Sequence, residues 1–146
     1  MEAEPEEDGK RAISMRDRDT KHKFSLRERF GSFVYAGRGL KLLFLEHNTW
    51  IHLVATLCVV IVGWWVSLSA IEWAIAVILV GGVWITEALN TAIERLCDHV
   101  TPEIHPAIGR IKDIAAAAVL LSAITAVIAG LCIFVPAIID KVTQLL

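Results

Sequence analysis

The sequence contains few of the features that mark disulfide-stabilised, zinc-binding or soluble nucleotide-binding proteins. Its 146 residues include 3 cysteines, 4 prolines and 1 tyrosine. Cys58, Cys97 and Cys132 show neither CxxC spacing nor even pairing, so they are interpreted as small packing residues. The motifs GxxxxGK[ST], GxGxxG, HRD, DFG and GxSxG are also missing, which excludes the soluble kinase, nucleotide-fold and hydrolase templates.

Long apolar runs dominate the rest of the chain, of which 55% is hydrophobic. Residues 50–68, 71–97 and 113–135 form three runs that could each cross a bilayer, since 18 to 22 helical residues cover about 27 to 33 Å. The predicted fold class is therefore an all-α integral membrane protein with three transmembrane helices. No run has the flanking pattern of a signal peptide, so none is expected.

Charge is unevenly distributed in this chain of formal net charge −2. Most of the 14 Lys and Arg residues precede residue 42, and the connection at 67–70 has none. The positive-inside rule therefore predicts a cytoplasmic N-terminus and second loop, with the first loop and the C-terminus outside. The basic N-terminal stretch is expected to meet anionic lipid, and nucleic acid is not an expected partner.

Two segments precede the first run. Residues 1–25 combine an acidic cluster with basic residues and few large apolar ones, which predicts a disordered charged tail. Residues 26–45 have the spacing of an amphipathic helix on the cytoplasmic leaflet, although a loose linker in the headgroups is an alternative. Asn48 or Thr49 is predicted to cap the first span. Residues 26–146 then form one membrane domain.

A polar stripe on the second run is the main candidate for a functional site. At about 100° per residue, Glu87, Asn90, Glu94 and Asp98 fall near 0°, 300°, 340° and 20° on one helix face. Ionisable side chains in a membrane helix usually mark a site that faces protein or water. A solvated helix end is the alternative, because the helix leaves the membrane near Arg95.

Other polar residues are predicted at the same interface. Glu46 is a candidate second carboxylate for one divalent cation shared with Glu94. The segment 99–113 is predicted to be an ordered turn. It carries Glu103, His105, Arg110, Lys112 and Asp113. Cations beside carboxylates suggest a site for a metal and phosphates, or simply positive-inside anchors. The lone histidines lack HExxH spacing and are interpreted as surface or capping residues.

Small residues mark predicted helix contacts inside the membrane. Gly81 and Gly82 lie in the second span, and a run of four alanines, residues 115–118, opens the third. Such residues let helices approach closely in lipid, so packing is the preferred interpretation of both.

Together, these segments resemble the small bacterial membrane lipid kinases, the diacylglycerol kinase and undecaprenol kinase family. The resemblance extends from about Phe30 to Val135. The stripe is similar to the family signature Glu-x-x-Asn-[Ser/Thr]-Ala-[Ile/Val/Leu]-Glu-x-x-x-Asp. Residues 103–106 and 112–119 resemble its second block. Residues 46–53 are more similar to the undecaprenol kinase branch, and Ala116 stands where the diacylglycerol branch has serine.

This resemblance implies a homotrimer of three-span subunits in the bacterial inner membrane, with active sites at subunit interfaces. Glu46 and Glu94 would hold Mg²⁺ on the ATP phosphates, and Glu87 would accept the proton of the lipid hydroxyl. The further nucleotide contacts implied by similarity are Tyr35, Asn90, Glu103, His105, Lys112 and Asp113. Any role for Arg29 or Arg38 is less defined, because the surface helix aligns only with a one-residue gap.

The sequence therefore predicts a Mg-ATP-dependent lipid kinase that acts on undecaprenol, with diacylglycerol as the alternative acceptor. A small proton-coupled carrier is an alternative from another class, because carboxylates in membranes can relay protons. A relay needs acidic groups through the membrane depth, whereas here they cluster at one edge. An inactive scaffold is a third possibility, against which the intact Glu87, Glu94 and Lys112 argue.

Overall fold

The structure, a computed structural model, describes residues 26–101, 103 and 105–146. The predicted tail at 1–25 lies outside the described residues. Where the chain is described, it forms four α-helices and no strand, which confirms the predicted all-α class. The helices are α1 (Leu26–Leu43), α2 (His47–Val66), α3 (Ala70–Val100) and α4 (Pro106–Leu145).

Three of these helices, α2, α3 and α4, are long and apolar enough to cross a membrane. The most apolar window of α4 has 0% of its residues buried inside the chain. Its 40 residues extend over about 60 Å, roughly twice the thickness of a hydrocarbon core. The apolar surface of α4 must therefore be covered by lipid or by another polypeptide, and its ends extend beyond the membrane core.

The chain divides into two units, residues 1–39 and 40–146. In the first unit, the described residues belong to α1, which occupies the segment predicted to be a surface helix. There the guanidinium carbon of Arg38 lies 5.8 Å from the centre of the Tyr35 ring, a cation–π distance. The location of α1 on a membrane leaflet stays a prediction.

The corner between α1 and α2 differs from the predicted cap. Helix α2 begins at His47 after the extended residue Glu46, whose side chain makes no capping bond. The buried Thr49 hydroxyl instead donates a 2.7 Å hydrogen bond to the carbonyl of Leu43, at the end of α1. The Leu43 carbonyl also accepts the Glu46 N–H at 3.1 Å, so Thr49 adds a second donor to a carbonyl at the end of α1. The prediction of Asn48 or Thr49 as N-cap is wrong for this reason.

The predicted turn at 99–113 is also much shorter. Helix α3 continues to Val100, and α4 already begins at Pro106. Proline suits a first helical position because that position needs no N–H donor. His105 caps α4, its Nδ1 accepting a hydrogen bond from the Ala107 N–H at 3.2 Å. Consequently Lys112 lies on a helix and not in a turn.

Helices α2 and α3 form a tight antiparallel hairpin. Ser67 ends α2 in a left-handed conformation, with φ 59° and ψ 53°, and Ser69 begins α3 with a capping box to Glu72. A Cβ atom on Gly63 would stand 2.8 Å from the Trp73 ring, so a larger residue there would force the Trp73 side chain to move. Further along, the Trp84 indole N–H donates to the Thr56 hydroxyl at 3.0 Å. These contacts fix the register of the hairpin.

Helix α3 packs most extensively against α4. A Cβ atom on Gly82 would lie 3.6 Å from the Ser122 hydroxyl, and Ala115 is buried. The prediction of close packing is confirmed at these two positions. A Cβ on Gly81 would meet no atom within 4 Å, so this glycine has no packing role inside the described chain.

Candidate active site

The polar stripe of α3 runs from the interior of the helix bundle to the surface. Glu87 and Asn90 are buried, Glu94 is half-buried and Asp98 is exposed. Exposure thus increases along α3 toward one end of the helix bundle. At that end α2 begins, α3 ends and α4 begins, and we call it the acidic end. The stripe therefore faces protein at Glu87 and Asn90 and becomes accessible near Asp98.

The buried carboxylate of Glu87 faces a histidine on α2. The distance from Nε2 of His52 to Oε2 of Glu87 is 3.6 Å. Only 4% of the Glu87 side chain and 18% of the His52 side chain are exposed. The interpretation of His52 as a surface or capping residue is wrong, because the antiparallel register places it at the depth of Glu87.

One turn further, Asn90 and Glu94 form a second polar pair. The Asn90 amide nitrogen donates a hydrogen bond to Oε1 of Glu94 at 3.1 Å. The carbonyl oxygen of Asn90, Oδ1, is buried and has no hydrogen-bond partner among the residues that the structure describes. A buried oxygen without a donor is costly unless a ligand or ion completes it. Asn90 also lines a cavity of about 310 Å³ between α3 and α4.

Glu46 is held at the acidic end by an arginine. The Arg95 guanidinium donates to Oε1 of Glu46 from Nε at 3.2 Å and from Nη2 at 2.5 Å. Since Arg95 follows Glu94 in sequence, this contact places Glu46 beside the last turns of α3. The two proposed metal-binding carboxylates therefore lie at the same end of the helix bundle.

Lys112 on α4 is fixed by the outermost residue of the stripe. Its Nζ donates a 2.5 Å hydrogen bond to Oδ1 of Asp98. Asp113, the neighbour of Lys112, is exposed. The short connection at 101–105 thus brings a cation from α4 to the carboxylates of α3.

The remaining predicted nucleotide contacts are Glu103, His105 and Tyr35. Glu103 and His105 lie in the α3–α4 connection and are exposed. The backbone N–H of Glu103 donates to the Thr101 hydroxyl at 3.4 Å. Tyr35 belongs to the first unit, where it contacts Arg38. Their roles stay predictions.

The acidic end supplies oxygen ligands, although it is not a complete metal cage. Among the described residues, no three His, Cys, Asp or Glu side chains converge on a point that could hold an ion. Mg²⁺ is commonly bound by one or two carboxylates together with substrate phosphates and water. The free Oδ1 of Asn90 beside the Glu94 carboxylate suits such a partial site.

Two residues of this region were missed or left without a role by the sequence interpretation, His52 and Arg95. Each acts across the α2–α3 hairpin: His52 faces Glu87 on α3, and Arg95 contacts Glu46, the residue just before α2. The available signal was depth, since antiparallel helices joined by a short connection bring residues equally distant from that connection to one level. His52 stands 14 residues before the end of α2 and Glu87 stands 17 residues after the start of α3, so the two lie at a similar depth.

An apolar groove of about 350 Å³ begins at His52 and runs along α2, α3 and α4. It is lined mainly by alanine and valine, with Gly130 and Phe134 from α4. The arrangement thus combines a buried carboxylate, cationic side chains and an apolar groove within one bundle of membrane helices. Such groups can hold a polyphosphate near an alcohol that is anchored in the bilayer.

Comparison with known proteins gives a consistent result. The sequence profile of prokaryotic diacylglycerol kinase matches residues 34–134. The undecaprenol kinase of Bacillus subtilis (strain 168) is 44% identical over 116 residues, 79% of this chain and 94% of that protein. The diacylglycerol kinase of Escherichia coli (strain K12) is 41% identical over 75 residues, 51% of this chain and 62% of that protein. A Synechocystis diacylglycerol kinase is 36% identical over 111 residues, 75% of this chain and 63% of that protein.

Proposed function

This chain belongs to the prokaryotic diacylglycerol kinase family and is a membrane lipid kinase, and we propose that its acceptor is undecaprenol. The supporting observation is the extent of the similarity to the Bacillus enzyme, which is named for that lipid. It covers 94% of that protein, whereas the similarity to the Escherichia coli enzyme covers 62%. Diacylglycerol is the alternative acceptor.

The buried stripe supports a direct transfer in which Glu87 is the catalytic base. The lipid hydroxyl loses its proton to the Glu87 carboxylate as its oxygen forms a bond to the γ-phosphorus of ATP. The bond from that phosphorus to the β–γ bridging oxygen breaks, and ADP leaves with the electron pair. Phosphoryl transfer of this kind depends mainly on positioning and on stabilisation of phosphate charge.

The nucleotide is proposed to bind at the acidic end as Mg-ATP. Glu46 and Glu94 would hold the metal, which when bound offsets the negative charge of the phosphates. Asn90, Lys112 and Asp113 would complete the nucleotide site, with Tyr35, Glu103 and His105 as further ATP contacts. The fit rests on the free Asn90 oxygen and on the ammonium group of Lys112, which can bind phosphate directly.

We also propose that the acidic end faces the cytoplasm and that the enzyme is a homotrimer in the bacterial membrane. The cytoplasmic orientation follows from the basic residues around that end and from the supply of ATP. The exposed apolar faces of α2 and α4 are available for subunit contacts as well as lipid. A proton relay is disfavoured, because α3 has no ionisable residue between Glu72 and Glu87.

The proposal is tested by incubating purified protein in mixed micelles with labelled ATP, Mg²⁺ and either undecaprenol or diacylglycerol. We expect label in undecaprenyl phosphate at a higher kcat/KM than in phosphatidic acid. The Glu87→Gln variant, which keeps the shape of the side chain but removes the base, serves as the negative control. A preference for diacylglycerol would replace the proposed acceptor, and no transfer to either lipid would contradict the proposed function.

A further inference from the structure

We propose that His52 is a positioning residue that holds the Glu87 carboxylate in place through its Nε2 atom. This inference rests on the proposed function only in assigning Glu87 as the base. In the part of the chain that the structure describes, His52 is the one side chain that pairs with the Glu87 carboxylate by ion pair or hydrogen bond. Their separation is 3.6 Å, a distance at which a small side-chain rotation completes a hydrogen bond.

Burial makes this single contact important. The Glu87 side chain is almost completely removed from solvent, so water can orient it very little. A buried carboxylate without a partner rotates among conformers or becomes protonated, and either change removes a base from its productive position. When His52 donates to one carboxylate oxygen of Glu87, the other carboxylate oxygen stays available for the proton of the lipid hydroxyl.

The backbone of His52 is itself fixed to the helix that carries Glu87. The Thr56 hydroxyl donates a 2.7 Å hydrogen bond to the carbonyl of His52 and accepts the indole N–H of Trp84 at 3.0 Å. His52 and Thr56 are one turn apart on α2, as are Trp84 and Glu87 on α3. The two contacts therefore join α2 and α3 at adjacent turns. The hydrogen bond between Thr56 and Trp84 fixes the position of the His52 imidazole along the helix axis.

His52 also lines the apolar groove, together with Thr56 and residues of α3 and α4. The imidazole therefore borders the groove and faces the Glu87 carboxylate as well.

Amide substitutions test the Nε2 assignment directly. The side-chain nitrogen of glutamine reaches about as far as Nε2 of histidine, and that of asparagine about as far as Nδ1. We expect His52→Ala and His52→Asn to lower kcat about ten- to a hundred-fold, with little change in the KM for ATP. His52→Gln is expected to recover most of the activity. Equal losses in His52→Asn and His52→Gln, or full activity in His52→Ala, would overturn the proposal.

A groove-lining control separates positioning from lipid contact. Val59 lines the same groove with a side chain that has no polar atom. We expect Val59→Ala to keep kcat close to that of the wild-type protein, with at most a change in the KM for lipid. If His52→Ala raised only the KM for lipid, as a contact residue would, the positioning role would be refuted.

Nuclear magnetic resonance tests the His52–Glu87 contact without any lipid substrate, so its result does not depend on which lipid is phosphorylated. In full-length protein with ¹⁵N-labelled histidine, Glu87→Gln is expected to shift the Nε2 resonance of His52 and to leave exposed His99 unchanged. A His52 resonance that does not respond would overturn the inference whatever lipid is phosphorylated. If neither lipid were phosphorylated but the His52 resonance still shifted, the proposed function would be refuted. The His52–Glu87 contact would nevertheless be supported.

Discussion

Arg95 donates two hydrogen bonds to a single oxygen of Glu46, from Nε at 3.2 Å and from Nη2 at 2.5 Å, across the α2–α3 hairpin. The contact joins the start of α2 to the last turns of α3. It also means that a carboxylate proposed to hold a metal already has a positively charged neighbour. Oε1 of Glu46 cannot bind both the Arg95 guanidinium and Mg²⁺ without weakening one of the two contacts.

Arg95→Ala is expected to lower the Mg²⁺ concentration needed for half-maximal activity several-fold, because it removes the competing guanidinium from Glu46. Both side chains are substantially exposed, so the loss of stability should be at most about 1 kcal/mol. A magnesium titration of the kinase rate measures the effect. Exposed Arg110 provides the control, since Arg110→Ala should not change the titration. A higher magnesium requirement in Arg95→Ala would show that Arg95 orients Glu46 and does not compete for it.

Glu94→Ala is expected to abolish transfer, because it removes a proposed metal ligand and the acceptor of the Asn90 hydrogen bond. Cys97→Ala, at a buried position three residues further along α3, should retain most of the activity. The two variants are compared by initial rate and by thermal unfolding in detergent. Similar losses of rate and melting temperature in both variants would indicate misfolding in place of metal loss.

Lys112→Ala is expected to raise the KM for ATP about ten-fold or more, since the variant loses the proposed charged hydrogen bond to phosphate. Asp98→Asn should have a weaker effect, less than about five-fold, because this exposed carboxylate only orients the lysine. Lys141→Ala, on the last turns of α4, is the matched control and should leave the KM unchanged. If Asp98→Asn were as damaging as Lys112→Ala, Asp98 itself would have to contact the nucleotide or its metal.

Gly63→Ala is expected to destabilise the α2–α3 hairpin by about 1 to 3 kcal/mol, because the new methyl group would press against the Trp73 ring. Thermal inactivation in detergent should occur at a lower temperature, with the KM for ATP unchanged in the surviving protein. Gly81→Ala adds the same atom where no atom of the described part of the chain lies within 4 Å, and it should be tolerated. Equal stability of the two variants would mean that Trp73 can rotate away from α2.

Much of the architecture is determined by local sequence. Hydropathy and length predict α2, α3 and α4, because a bilayer accepts a backbone segment only when its polar groups bond internally. Helical periodicity also places Glu87, Asn90 and Glu94 on one face, as found in α3. The α3–α4 connection is less well predicted, since a proline inside the supposed turn actually begins a helix.

What the tertiary structure alone decides is which of these side chains meet. The partners of Glu87 and Glu46 lie on a neighbouring helix, and periodicity fixes neither the rotation of that helix nor its register. Both depend on packing between helices, through the contact of Gly63 with Trp73 and the hydrogen bond from Trp84 to Thr56. The sequence by itself thus determines an acidic membrane helix and its family. The fold decides that His52 faces the buried carboxylate and that Arg95 holds Glu46, because the short connection and the helix contacts set one register for the hairpin.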